Sequence, residues 1–212
     1  MNHPPTQLNT VTLTLDYLPI EQLIDLMEEP AREICHRILR DNRELFETSR
    51  GSTFNHQTWE GGYLDHVVDC MNYARHLYKF DEAFGRPLPF SMSDALLVLF
   101  LHDLEKPWRI LVSAAGLVSN RPDMTTKQEF KQFREKKLEE YGLTLTKAQH
   151  NGLTYVEGEL ANYSSQFRVM NELAAFCHKV DNWSARGWHA YPKAEGDEWA
   201  GAGRIRTNTR PS

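Results

Sequence analysis

Four side chains in this sequence could do chemistry together. His66 stands in GGYLDHVVDC, His102 and Asp103 adjoin at the end of a leucine-rich run, and Asp181 stands in FCHKVDNWSAR. Two imidazoles and two carboxylates suit a divalent borderline ion such as Mn, Fe, Co, Ni or Zn. Four protein ligands around a six-coordinate ion would leave positions for water and substrate. Each residue also has an ordinary reading. A His-Asp pair at a helix end that reaches solvent costs nothing. His66 could be a half-buried histidine with its hydrogen bonds met. Asp181 could be a surface carboxylate paired with Lys179 or Arg186. Placement favours a shared site: burying such polar groups unpaired costs roughly 2–7 kcal/mol, and all four border apolar helix faces.

Those faces follow from spacing. Ile20, Leu23, Ile24 and Met27 recur at helical intervals, and Pro30 ends or restarts the run. Ala31, Ile34, Cys35, Ile38 and Leu39 form a second face continuing toward Leu45 and Phe46. Residues 48–62 read as a loop. A third helix is expected from about Gly62 to Phe80, its buried stripe passing through Val67, Met71, Ala74 and Tyr78 beside His66. Ala95–Leu101 is apolar nearly all round, so its helix should be central, capped by Ser91 or Ser93. It carries His102 and Asp103 and stops near Pro107. Residues 109–126 could be a short strand or a kinked extension of that helix. Residues 127–141, KQEFKQFREKKLEEY, read as a charged peripheral helix or lid. Further helices are expected at about 144–161 and 165–186, the last bearing Asp181.

The domain reading is an extended arm over 1–18, one all-α bundle of six or more helices over 19–190, and a Gly- and Arg-rich flexible tail over 191–212. Net charge is −5, which argues against a general duplex nucleic-acid binder that relies on a basic surface. The longest apolar run, seven residues, is far short of a membrane span. Three widely spaced cysteines and no signal-peptide pattern at MNHPPTQLNT point to a cytoplasmic protein. The arm and the aromatic segment around Trp188 and Trp199 offer surfaces for a homodimer.

The order H…HD…D on helices resembles the HD-domain metal-dependent phosphohydrolases. GGYLDHVVD is similar to the GGLLEH stretch of HD domains akin to 3′–5′ exoribonucleases. LFLHDLEKPW is similar to their HDxxK element, with Lys106 at the lysine position. VDNWSA resembles the closing aspartate element, and QHNGLTYVEGE resembles an internal histidine region with different glycine spacing. The resemblance spans roughly residues 50–190. HDLEK departs from the family's usual HDIGK by placing Glu105 where a small glycine is usual. The long interval from Asp103 to His150 marks 127–141 as an inserted segment.

The resemblance implies that His66, His102, Asp103 and Asp181 hold one divalent transition metal per chain. A second metal would need His150 and His178. It also implies hydrolysis of a nucleotide or other small phosphoester by metal-activated water. Asp103 would orient the water; Lys106 would hold phosphate or be a solvated cation at the helix end; and Glu105 would be a general acid or base or an exposed carboxylate paired with Lys106 or Arg109. The resemblance places His150 in the pocket; His56, from its position in the loop, either reaches the site as phosphate donor or proton shuttle or is a loop histidine with no role. Arg109, Arg121 and Arg186 are the phosphate-clamp candidates. Trp183, with Trp59 and Trp108, could wall a base. The competing expectations are a short single-strand exonuclease, a dinuclear-iron oxygenase, and a non-catalytic metal-binding regulator.

Overall fold

The apolar run Ala95–Leu101 sits at the centre because no face of it tolerates water. In the computed structural model, which describes residues 16–187, it forms most of α5 (Met92–Leu101), where Ser93 and Ala95–Leu101 are all buried. Ser91 caps this helix: its hydroxyl accepts from the Asp94 amide while the Asp94 carboxylate accepts from the Ser91 amide. Around α5 pack α4 (Gly62–Ala83), α8 (Lys147–Tyr155) and α9 (Glu172–Asn182). Gly152 lets α8 come close, since a Cβ there would lie 3.0 Å from Val98 Cγ2 and 3.2 Å from Leu173 Cγ.

Three helices close one side: α1 (Ile20–Asp25), α2 (Ala31–Asp41) and α3 (Arg43–Thr48). The apolar face expected to run on toward Phe46 is broken at Asn42, whose side-chain amide donates to the Ile38 carbonyl. After α5, the turn His102–Glu105 leads into α6 (Lys106–Arg109), and Pro107 is tolerated in its first turn. The ambiguous stretch that follows is an antiparallel hairpin of β1 (Ile110–Val112) and β2 (Val118–Asn120), with Leu111 opposite Ser119. The charged helix α7 (Lys127–Tyr141) has the expected bounds and the thin burial expected of it, Leu138 being its only buried residue.

The described residues are thus mostly helical, as the periodicities predict. Several bounds differ. The third predicted helix runs on to Ala83. The helix expected over 144–161 is only Lys147–Tyr155, followed by a 3₁₀ turn at Leu160–Asn162. The helix expected from 165 starts at Glu172, because Asn171 caps it by accepting from the Ala174 amide. Phe167 therefore lies before the helix and is exposed. A π turn, Trp183–Gly187, ends it. Residues 1–15 of the expected arm, the tail, Trp188 and Trp199 lie outside the described residues. No helix among the described residues is long and apolar enough to cross a membrane.

Candidate metal centre and cleft

The inward stripe of α4 runs Tyr63, His66, Val67, Cys70, Met71 and Ala74, all buried. His66 is therefore a core residue, 0% exposed, and not merely a border one. The start of α4 is fixed by two glycines. Gly61 has a φ of 80°, and a Cβ on Gly62 would fall 1.9 Å from the Gln57 carbonyl oxygen. The loop 49–57 can thus cross the helix start, held by the Gly51 amide donating to Gln57 O and by Ser52 accepting from the Asn55 and His56 amides. That crossing delivers His56 to the site.

His102 lies directly after α5, with Nδ1–H donating to Leu99 O at 2.7 Å. A carbonyl oxygen cannot donate, so in the neutral ring Nε2 carries a lone pair. His102 Nε2 is 3.2 Å from His66 Nε2, 3.2 Å from Asp103 Oδ2 and 3.4 Å from Asp181 Oδ1. His66 Nε2 is 3.2 Å from Asp181 Oδ1 and 3.5 Å from Asp103 Oδ2. All four residues predicted to act together do meet, from α4, the turn after α5, and α9.

Their charges are mutually coupled, two carboxylates set against the His102 ring and the Lys106 ammonium. Burial works against a charged His102, yet Asp103 and Asp181 outweigh it and push the ring up to about 10. Burial would raise Asp103 and Asp181, but the two imidazoles, with Lys106 beside Asp103, hold both carboxyls far below their usual range. Burial keeps His66 below its ordinary value. Asp103 Oδ2 is buried and accepts no well-formed hydrogen bond, although the Lys106 ammonium lies against it.

Among the described residues, one ligand atom each from His66, Cys70, His102 and Asp181 lie within 4.8 Å of one another, and this buried group could hold a metal ion. The sequence marks Cys70 only as a core residue. The signal it carries is its position four residues after His66 on one helix face.

Asp103 and Asp181 open onto a cleft of about 750 Å³, whose wall carries the cations Lys106, Lys127 and Arg186 beside His56 and Glu157. Lys106 Nζ is 3.3 Å from His56 Nε2. His56 Nδ1–H donates to Gln57 Oε1 at 2.7 Å, so Nε2 accepts from Lys106. Burial, seconded by Lys106, pushes His56 down to about 3. It is a neutral acceptor and not a cationic phosphate donor. Lys127 is held by Glu157 at 2.7 Å.

The remaining predicted residues lie elsewhere. Glu105, expected either as a general acid or base or as an exposed carboxylate paired with Lys106 or Arg109, is instead buried. It pairs with Arg134 at 3.1 Å, away from the cleft lining. His150 lies on the outer side of α8, 4.0 Å from Glu135, lining a separate small cavity against α7. His178 donates from Nδ1 to Val156 O at 2.7 Å. Arg109 stacks over Phe130 at 4.3 Å, and Arg121 pairs with Asp123. Trp183 lines a different groove with Tyr73 and His178. Trp108 packs between Phe46 and Phe133, and Trp59 donates to Asp65.

Arg134 carries no signal in the sequence, being one cation among many on a charged helix. Its guanidinium donates to the His102 carbonyl at 2.7 Å and to Glu105, so the helix expected as a lid is a brace for the His102 turn. Comparison with protein-family models, with curated proteins and with solved structures gives no match.

Proposed function

We propose that this chain is a metal-dependent phosphoester hydrolase of the HD-domain kind, acting on a nucleotide or other small phosphorylated molecule. The observation that carries the reading is the convergence of two imidazoles and two carboxylates, with Asp103 and Asp181 lining a cleft that also carries Lys106, Lys127 and Arg186. His66, His102, Asp103 and Asp181 would hold the ion. Cys70, its sulfur 3.8 Å from both His66 nitrogens, is a further candidate within the same buried group. Burial pushes its thiol well above the ordinary range, so the ion would have to displace that proton for Cys70 to bind it.

A divalent ion bound here would lower the pKa of a water and polarise a phosphoryl oxygen. The chain's own residues supply the rest. Arg186 reaches the cleft from the π turn after α9 and offers a guanidinium fork for a phosphate. Lys106, now against Asp103, would turn to the phosphate once a cation takes its place. The volume of the cleft suits a small molecule better than a long polymer. One ion fits better than two, since His150 and His178 both point away from the cluster. Three buried free thiols suit the reducing, cytoplasmic setting expected for the chain.

A panel of nucleotides, sugar phosphates and short oligonucleotides, with released phosphate measured under Mn²⁺, Co²⁺ or Ni²⁺, tests this. Hydrolysis that is lost in His102→Ala and Asp103→Ala proteins is expected. Equal rates in wild type and both variants would assign any activity elsewhere.

A further inference from the structure

His66 could hold its ring proton on Nε2, 3.2 Å from Asp181 Oδ1, or on Nδ1, and the partners of Nδ1 favour the second. Nδ1 is 3.2 Å from Ser184 Oγ, and Ser184 Oγ is 2.6 Å from Asp69 Oδ2. Ser184 is 1% exposed, so water does not complete this set. A carboxylate only accepts, so the single Ser184 proton is committed to Asp69. Toward His66, Ser184 then presents only lone pairs. The contact is a hydrogen bond if, and only if, His66 Nδ1 carries the proton.

We propose that Asp69 and Ser184 are positioning residues that lock His66 in its Nδ1–H tautomer and aim the Nε2 lone pair at His102, Asp103 and Asp181. This rests on the reading of that cluster as a metal centre. His102 is locked the same way, by Leu99 O. Two imidazole lone pairs therefore face each other across 3.2 Å with two carboxylates beside them. Such an arrangement is repulsive until a cation, or a proton on His102, enters it. The carboxylate behind Ser184 also makes His66 a stronger donor through the shared hydroxyl. Asp69 sits one turn after His66 on α4, while Ser184 comes from the π turn. The lock thus fixes the relative placement of α4 and the end of α9, the elements that bring His66 and Asp181.

Long-range ¹H–¹⁵N imidazole spectra of the full-length protein without metal, at mildly alkaline pH, read the tautomer directly. Wild-type His66 should show a protonated Nδ1 and a bare Nε2. In Ser184→Ala the tautomers should mix, and the Kd for Co²⁺, followed by its visible absorption, should rise roughly 10- to 100-fold. A wild-type His66 protonated on Nε2 overturns the proposal, as does an unchanged tautomer and Co²⁺ affinity in Ser184→Ala. The wild-type spectrum needs no variant, so it decides the tautomer even where the Ser184→Ala protein misfolds. A wild type with the expected tautomer that binds no Co²⁺ contradicts the metal centre and leaves the lock intact.

Discussion

Arg134 of α7 donates to the main-chain oxygen of His102 on the turn that follows α5, across 2.7 Å. The same nitrogen reaches the buried Glu105 carboxylate at 3.1 Å, so one guanidinium ties the charged outer helix to the turn that carries two of the four site residues. Removing Arg134 would strand Glu105 as a buried carboxylate, whose acid is already pushed up by burial against the pull of Arg134. Arg134→Ala is expected to cost about 3–5 kcal/mol in chemical denaturation. Adding Glu105→Gln should recover part of that loss, and equal additive losses would contradict the pairing.

Gly62 is the second structural hinge of the site. A methyl group there would meet Gln57 O at 1.9 Å. Gly62→Ala is expected to cost about 1–3 kcal/mol or more and to displace the loop that carries His56. Thermal unfolding and the His56 imidazole resonances would show both effects. An unchanged melting point would mean that the loop does not cross the helix start this way.

Asp69 gives a pH signature. Burial raises its carboxyl from 3.8 to about 6, with Ser184 pulling down and Asp65 adding to the rise. The unfolded chain ionises first as pH climbs, so the folded state binds more protons and stability falls between those two values. The loss attributable to this group is about 3 kcal/mol. Urea unfolding of wild type and Asp69→Asn should show the variant gaining relative stability across that window, levelling above about pH 6. A constant difference would contradict the raised value.

Arg186 is expected to act in binding. If it takes the substrate phosphate, Arg186→Ala should raise KM roughly 10- to 100-fold with kcat little changed. Steady-state kinetics on whichever substrate the panel yields would separate this from a drop in kcat alone, which would place Arg186 in the chemical step.

The helical class, the central position of Ala95–Leu101 and the meeting of His66, His102, Asp103 and Asp181 were legible in the sequence, because periodicity marks which residues share an inner face. What it could not show depends on side chains that meet over long chain separations. Arg134 looks like any cation on KQEFKQFREKKLEEY, and only packing reveals that it reaches His102 O. Ser184 is one small polar residue in VDNWSA until the π turn lays it against His66 and Asp69. His150 misleads for the converse reason: its motif is on a helix that packs on α5, but its ring lies on the outer face.

The most direct test is the metal content of the folded, full-length protein after loading with Co²⁺ and removal of excess ion. One equivalent per chain is predicted for wild type, and close to none for folded His102→Ala/Asp103→Ala protein, with circular dichroism confirming its helicity. Two equivalents in wild type, or a full equivalent retained by the double variant, would contradict a single ion held by His66, His102, Asp103 and Asp181.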